Sequence, residues 1–172
     1  IITTCHNGYV WQSKIKSFIF IVSAAMQSDG IIFLARRDFY KWKWLCRICS
    51  LPAWHLPNPV DLSRFPQKRH KRASSSIVLG NVGGVLQAKG QIVAVKALQK
   101  LLNDNYDIKL KFVGAIGDSK YKNMIDRWVK KNGLENNVEW LGELSYSKVP
   151  EFLQSIDIFI CPSYCEVSPF CI

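Results

Sequence analysis

The sequence predicts an α/β protein built on parallel sheet, and three observations carry that reading. Beyond residue 76, short apolar runs alternate with amphipathic helical stretches. A polar, serine-rich segment, Pro66 to Ser76, divides the chain. A glycine turn directly follows one apolar run, Ile77-Val78-Leu79, and a carboxylate, Glu166, closely follows another, Ile158-Phe159-Ile160. Strands alternating with helices imply right-handed crossovers and a parallel sheet covered on both faces. Ligands of such sheets bind at the carboxyl ends of the strands.

The elements follow in order. Ile1 to Thr4 reads as a strand end, Lys14 to Met26 as a helix, Gly30 to Leu34 as a short buried strand and Trp54 to Leu56 as another, stopped by Pro57-Asn58-Pro59. After the divide, a strand over 77–82 leads through the glycine turn into a helix over 91–104. Val95, Leu98, Leu101 and Leu102 share one face of that helix. A strand over 110–114 follows. Asp118 or Ser119 then caps a helix with the stripe Tyr121, Met124, Ile125, Trp128 and Val129, and Asn132-Gly133 supplies a left-handed stop. Val138 to Leu141 is a third strand, Ser147 to Ser155 a short helix and Asp157 to Cys161 a fourth strand.

Composition bounds the function. The chain has 172 residues, 48% hydrophobic, which excludes disorder. Its longest apolar stretch, Phe18 to Met26, is too short to span a bilayer, and the amino terminus carries no secretory signal. The net charge of +10 is lopsided: residues 1–75 hold 12 Lys/Arg against 3 Asp/Glu, whereas residues 76–172 hold 11 against 10. The cations cluster at Arg36-Arg37, Lys41-Trp42-Lys43-Trp44 and Lys68-Arg69-His70-Lys71-Arg72. Three readings stay open: nucleic-acid binding, an anionic membrane surface with Trp42 and Trp44 at the interface, or a solvated linker and helix face. No RNP, zinc-finger or helix-turn-helix signature supports nucleic acid, so it is not expected as a partner.

Among six cysteines, Cys46 and Cys49 have knuckle spacing and Cys161 and Cys165 form a looser pair. The pairs lie far apart, so reduced thiols packed like small hydrophobes are the better reading, with no metal site. Reduced thiols and the missing signal favour the cytoplasm.

The chemistry concentrates in two places. The turn Val82-Gly83-Gly84 leading to Lys89-Gly90-Gln91 brings backbone N–H groups and a cation together, as a phosphate site requires. Glu166 can accept hydrogen bonds from sugar hydroxyls. Together they point to a nucleotide-sugar site, with no further cofactor. Each residue also has a plainer role open to it: Lys89 as an exposed loop lysine, Glu166 as a turn cap and His6 as a core histidine.

The same residues resemble a known family. Gly83…Lys89-Gly90, Phe112-Val113-Gly114 with Gly117, Val138 to Gly142, Ile156-Asp157-Ile158 and Pro162-Ser163 with Glu166 look like the carboxyl-terminal domain of family 4 glycosyltransferases, also called glycosyl transferases group 1, of the GT-B fold. Leu56-Pro57-Asn58-Pro59-Val60-Asp61 with Phe65, and Thr4-Cys5-His6, resemble pieces of the family's amino-terminal domain. The resemblance implies two Rossmann-like domains, both incomplete here: 1–65 as the end of the acceptor-side domain, 66–76 as a basic linker, and 77–172 as the start of the donor-binding domain. It implies transfer of a sugar from a nucleoside diphosphate donor to a glycan or lipid-linked acceptor, with retention and without metal. No Asp-x-Asp pair occurs in the chain, in keeping with that.

Under this resemblance His6 and Glu166 are the catalytic pair flanking the reacting sugar. Gly83, Gly84 and Lys89 hold the diphosphate, and Gly114, Gly142, Ser163 and Ser168 line the sugar and nucleotide pocket. A location at the inner face of the membrane would suit a lipid-linked acceptor. Two departures stand out. Gly84 occupies the place of a family arginine, removing one phosphate cation, and Asn58-Pro59 replaces Asn-Gly, which forbids a positive φ there. The chain starts at Ile1 and stops at Ile172, before the family's second glutamate, so an internal and inactive piece is expected. A non-catalytic nucleotide-binding module of the same shape is the alternative, with a basic nucleic-acid-binding protein a weaker one.

Overall fold

The computed structural model describes residues 1–5, 14–65 and 76–164. These gather into two compact units that divide between Val60 and Asp61.

The first unit is a three-stranded parallel sheet, β1 (Ile2–Cys5), β2 (Gly30–Phe33) and β3 (Ala53–His55), in that spatial order. Thr3 pairs with Ile31, and Phe33 with His55. Two helices make the crossovers, α1 (Lys14–Gln27) and α2 (Arg36–Ile48). Ile31 and Phe33, two apart on β2, point to one face and are fully buried against Ile21, Ala24, Trp42 and Leu45. The sequence reading treats 36–47 only as a basic face; its apolar positions nevertheless recur at helical spacing, with Asp38, Trp42, Leu45 and Cys46 buried. Here the structure corrects one expectation. Trp42 is only 5% exposed and belongs to this core, so it is no interfacial anchor, whereas Trp44, on the opposite side of the helix, is 53% exposed.

Burial of Cys46 pushes its thiol up to about 11, with Cys49 adding a smaller charge effect. Cys46, Cys49 and Cys161 are free thiols, and no metal-binding group of side chains occurs among the described residues.

The second unit is a four-stranded parallel sheet: β4 (Ile77–Val82), β5 (Ile108–Val113), β6 (Val138–Trp140) and β7 (Ile158–Phe159). α3 (Gln91–Asn103) joins β4 to β5, α4 (Ser119–Lys131) joins β5 to β6, and the short α5 (Val149–Gln154) precedes β7. Val95, Leu98, Leu110, Phe112 and Ile125 fill the core at 2% exposure or less. Met124, read as part of the buried stripe of α4, is 40% exposed. Asp118 caps α4 by accepting from the Tyr121 N–H at 3.0 Å, and Gly133 at φ 66° follows its end.

Two elements are shorter than the sequence suggests. The helix expected over Ser147 to Ser155 starts only at Val149, and the strand expected over Asp157 to Cys161 keeps two residues, Ile158 and Phe159. Asp157 nevertheless locks β7 to β4: its carboxylate and its backbone N–H bond the N–H and carbonyl of Val78, each at 2.8 Å. β5 begins two residues earlier than expected, because Ile108 is buried and pairs with Ile77. Near the start of this unit Arg64 donates to the Tyr146 carbonyl at 2.7 Å, with its guanidinium 3.6 Å from the centre of the Tyr146 ring.

Candidate donor site

The strand order of the second sheet is β6-β5-β4-β7. The chain moves outward from β4 through β5 to β6, then returns to add β7 on the other side of β4. A crevice therefore opens at the carboxyl ends of β4 and β7, the topological switch point at which such sheets bind ligands. The glycine turn leaves β4 there, and Pro162-Ser163 leaves β7 there. The sequence reading sets both segments at carboxyl strand ends in one site; that their strands are direct neighbours follows from the pairing of Leu79 with Ile158 and Gly80 with Phe159.

The turn is held by a ladder of backbone hydrogen bonds. Gly83 N–H donates to Val113, Val85 N–H to Ala115, and Asp118 N–H to Val85, at 2.8 to 3.0 Å. Gly114 N–H in turn donates to Gly142 at 2.7 Å. The loops after β4, β5 and β6 are thus stitched together at one sheet edge. Gly114 must be glycine here: its φ is 149°, and a Cβ would stand 2.1 Å from the Gly83 carbonyl oxygen.

A short 3-10 turn, Gln87–Lys89, leads to Gly90, which stands before α3 at φ 66°. A Cβ on Gly90 would meet the Pro162 carbonyl oxygen at 2.2 Å and the Ser163 N at 3.7 Å. Tyr164 N–H donates to Ala88 at 3.0 Å. Lys89 and its turn therefore pack directly on the segment leaving β7. The Lys89 side chain, half-buried, runs beside Gly83, with its Cδ 3.9 Å from where a Gly83 Cβ would sit. Gly90 at the N-cap of α3 supplies no capping side chain. The Ile92 and Val93 N–H groups are taken by the Tyr121 hydroxyl and the Gly90 carbonyl, so what this terminus offers an anion is chiefly the positive end of the helix dipole.

Of the expected site residues, the structure brings together Gly83, Gly84, Lys89, Gly114, Gly142 and Ser163 around this edge. His6, Glu166 and Ser168 lie outside the described residues, as does most of the 66–76 segment.

Three supporting residues were not legible as site residues. Gln91, fully buried at the head of α3, donates from Nε2 to the Gly84 carbonyl at 2.9 Å and so braces the turn from beneath. Tyr121 accepts the Ile92 N–H at 3.1 Å through its hydroxyl, whose pKa is raised chiefly by burial. Asn81, 4% exposed, donates to the Ile160 carbonyl at 2.9 Å and holds β7 beside β4. Polar residues at the start of a helix and the end of a strand are the one available signal, and they serve caps equally well.

A parallel sheet with its glycine turn, cation and proline-serine segment gathered at the switch point defines a doubly wound α/β domain. The model of the glycosyl transferases group 1 family matches residues 64–172, more than half of the chain, and the chain belongs to that family. Protein CapJ of Staphylococcus aureus is 34% identical over 145 residues, covering 83% of this chain and 35% of CapJ. Among solved structures, HepE of Anabaena, in complex with UDP and glucose, superposes with a TM-score of 0.78 at 15% identity, over 96% of this chain and 47% of HepE. Sucrose-phosphate synthase of Thermosynechococcus elongatus gives 0.79 at 15% identity, over 98% and 46%. At that identity the likeness speaks to fold alone: an α/β protein of GT-B type. The chain spans about a third of CapJ and just under half of the two solved structures.

Proposed function

We propose that the chain holds the donor site of a glycosyltransferase that moves a sugar from a nucleoside diphosphate to a glycan or lipid-linked acceptor. The observation that carries this reading is the switch-point edge, where a rigid glycine turn, the positive end of the α3 dipole and Lys89 converge. When the bond from the sugar to the diphosphate breaks, negative charge grows on the departing phosphate oxygens. Preorganised amides and a lysine stabilise that charge without reorganising. Family membership supports the reaction class, and the UDP held by HepE supports a uridine donor.

Gly114 and Gly142 keep the loops close enough for the pocket floor, and Ser163 stands at the edge toward the sugar. His6 near the acceptor, Glu166 on the donor-sugar hydroxyls and Ser168 in the pocket keep their assignments on the family pattern alone. Retention and metal independence belong to the same proposal. The absence of an Asp-x-Asp pair from the sequence supports the latter, since the cationic role then falls to Lys89 and the amides. With Gly84 in the place of the family arginine, Lys89 carries more of the load than one member of a pair would. A cytoplasmic location, peripheral to the membrane, fits a lipid-linked acceptor; no described helix is long and apolar enough to cross a membrane.

In the full-length protein, Lys89→Ala should cost roughly 3 kcal/mol of transition-state stabilisation, a loss of about a hundredfold in kcat/KM. Transfer from a labelled UDP-sugar with EDTA present measures it. Unchanged turnover in the variant would remove Lys89 from the mechanism, and abolition by EDTA would remove metal independence.

A further inference from the structure

Helix α2 of the first unit carries a feature the donor site does not use. Arg36, Tyr40, Lys43 and Arg47 recur at helical spacing and so share one stripe of its surface. Contacts within the stripe order it. The Arg36 guanidinium lies 5.6 Å from the centre of the Tyr40 ring, and the Lys43 ammonium 4.7 Å from it. One ring, itself 52% exposed, thus has a cation from the turn before it and another from the turn after.

Nothing neutralises the stripe. Asp38, the one carboxylate of α2, is buried and pairs with Arg37. No carboxylate pairs with Arg36, Lys43 or Arg47 among the described residues. Like charges four residues apart, such as Lys43 and Arg47, weaken a helix, a cost that a bound anion would offset. The far end of the stripe borders a recess. Between α2 and residues 51–53 lies a cavity of about 220 Å³, with Phe39, Lys43, Cys46 and Arg47 on its wall. The near end, Arg36, opens α2 just beyond the carboxyl end of β2, the edge at which such sheets present ligands. From Arg36 to Arg47 the helix rises about 16 Å, enough for several sugar units.

We propose that this stripe is the track for an anionic glycan acceptor, a chain of sugars bearing carboxylate, sulfate or phosphate groups. One sugar stacks its apolar face on Tyr40, Arg36 and Lys43 pair with the acid groups beside it, and a further unit enters the recess next to Arg47. The proposal rests on the acceptor reading above and names the chemical class of that acceptor. Charge complementarity singles out the class, since a neutral glycan would leave all three cations unused. A nucleic-acid strand is the poorer fit: it stacks successive bases on several rings, and this stripe holds Tyr40 alone.

The test is calorimetric titration of the full-length protein with a galacturonate hexamer, a heparin hexasaccharide, neutral maltohexaose and an oligothymidylate, with UDP titrated separately. An acidic hexamer should bind saturably, weaken with salt and bind better than its own disaccharide, whereas maltohexaose should not bind. Lys43→Gln with Arg47→Gln should lower that affinity about tenfold and Tyr40→Ala about fivefold. Lys41→Gln, off the stripe, should stay near the parent. None of these side chains belongs to the buried core, so melting temperature should not fall and UDP affinity should hold. A parent that fails to bind UDP would strike at the donor-site reading and leave the glycan result standing. Failure of both acidic hexamers to bind, or equal binding of maltohexaose, would overturn the proposal. So would tighter binding of the oligothymidylate, a disaccharide as good as its hexamer, or a loss in Lys41→Gln equal to that of the double variant.

Discussion

Replacing Gly114 by alanine tests whether the loops at the sheet edge are one rigid device. At φ 149° an L residue is strained, at a cost of roughly 1–3 kcal/mol. The new Cβ would also stand 2.1 Å from the Gly83 carbonyl oxygen, 2.5 Å from its carbon and 3.0 Å from Gly84 N. These are backbone atoms and cannot swing aside, so relief requires the turn itself to move, and overpacking of this kind costs a further 1–3 kcal/mol or so. The sum is about 2–6 kcal/mol, and the displaced atoms belong to the turn proposed to hold the diphosphate.

Gly133→Ala is the control. Its φ of 66° imposes strain, but nothing lies within 4 Å of the added atom, so it should cost only about 1 kcal/mol. Urea unfolding gives the stabilities and calorimetric titration with UDP gives the affinities. Gly114→Ala should lose both stability and UDP affinity, whereas Gly133→Ala should lose a little stability and no affinity. Parent-like UDP binding by Gly114→Ala would refute the claim that the turn is pinned where the donor sits.

Other outcomes follow from the same contacts. Gln91→Met keeps the volume but frees the Gly84 carbonyl; because Gln91 Oε1 is itself unpaired among the described residues, stability should shift by no more than about 1 kcal/mol, while UDP affinity falls severalfold by titration. Asp118→Ala removes the cap of α4 and should cost about 1 kcal/mol in urea unfolding. The Cys46 thiol, raised to about 11 by burial, should react with a disulfide reagent at pH 8 far more slowly than an exposed cysteine. Because its folded pKa lies above the ordinary thiol value, the folded state holds its proton longer than the unfolded chain. Its contribution is complete below pH 9 and is lost as pH rises from 9 toward 11, a decline that Cys46→Ala should remove.

Much of this architecture is readable from local pattern. α3 and α4 announce themselves through stripes such as Val95 with Leu98 and Tyr121 with Ile125, and Asp118 states where α4 starts. β7 and α5 are less legible because two paired residues, or six helical ones, carry too little periodicity to fix an end. α2 is masked by its charge: five cations hide the buried spacing of Trp42, Leu45 and Cys46, and Trp42 consequently reads as a surface residue.

At the site, Gly83, Gly84 and Lys89 are legible because a turn between strand and helix is a local signal. The return of β7 to the far side of β4 is not, since strand order depends on pairing between segments about eighty residues apart. Gln91, Tyr121 and Asn81 were missed for the same reason. Each acts by bonding a backbone group on another loop, strand or helix, and nothing in its own neighbourhood says so.

The central claim is that a nucleoside diphosphate binds where the glycine turn meets the segment leaving β7. Titrating UDP into isotopically labelled full-length protein and following backbone amide resonances tests it most directly. The account predicts saturable shifts concentrated at residues 83–93, 114–117 and 162–163, with Lys89→Ala weakening the binding and leaving the pattern in place. Absence of saturable binding, or shifts confined to the first unit, would contradict it.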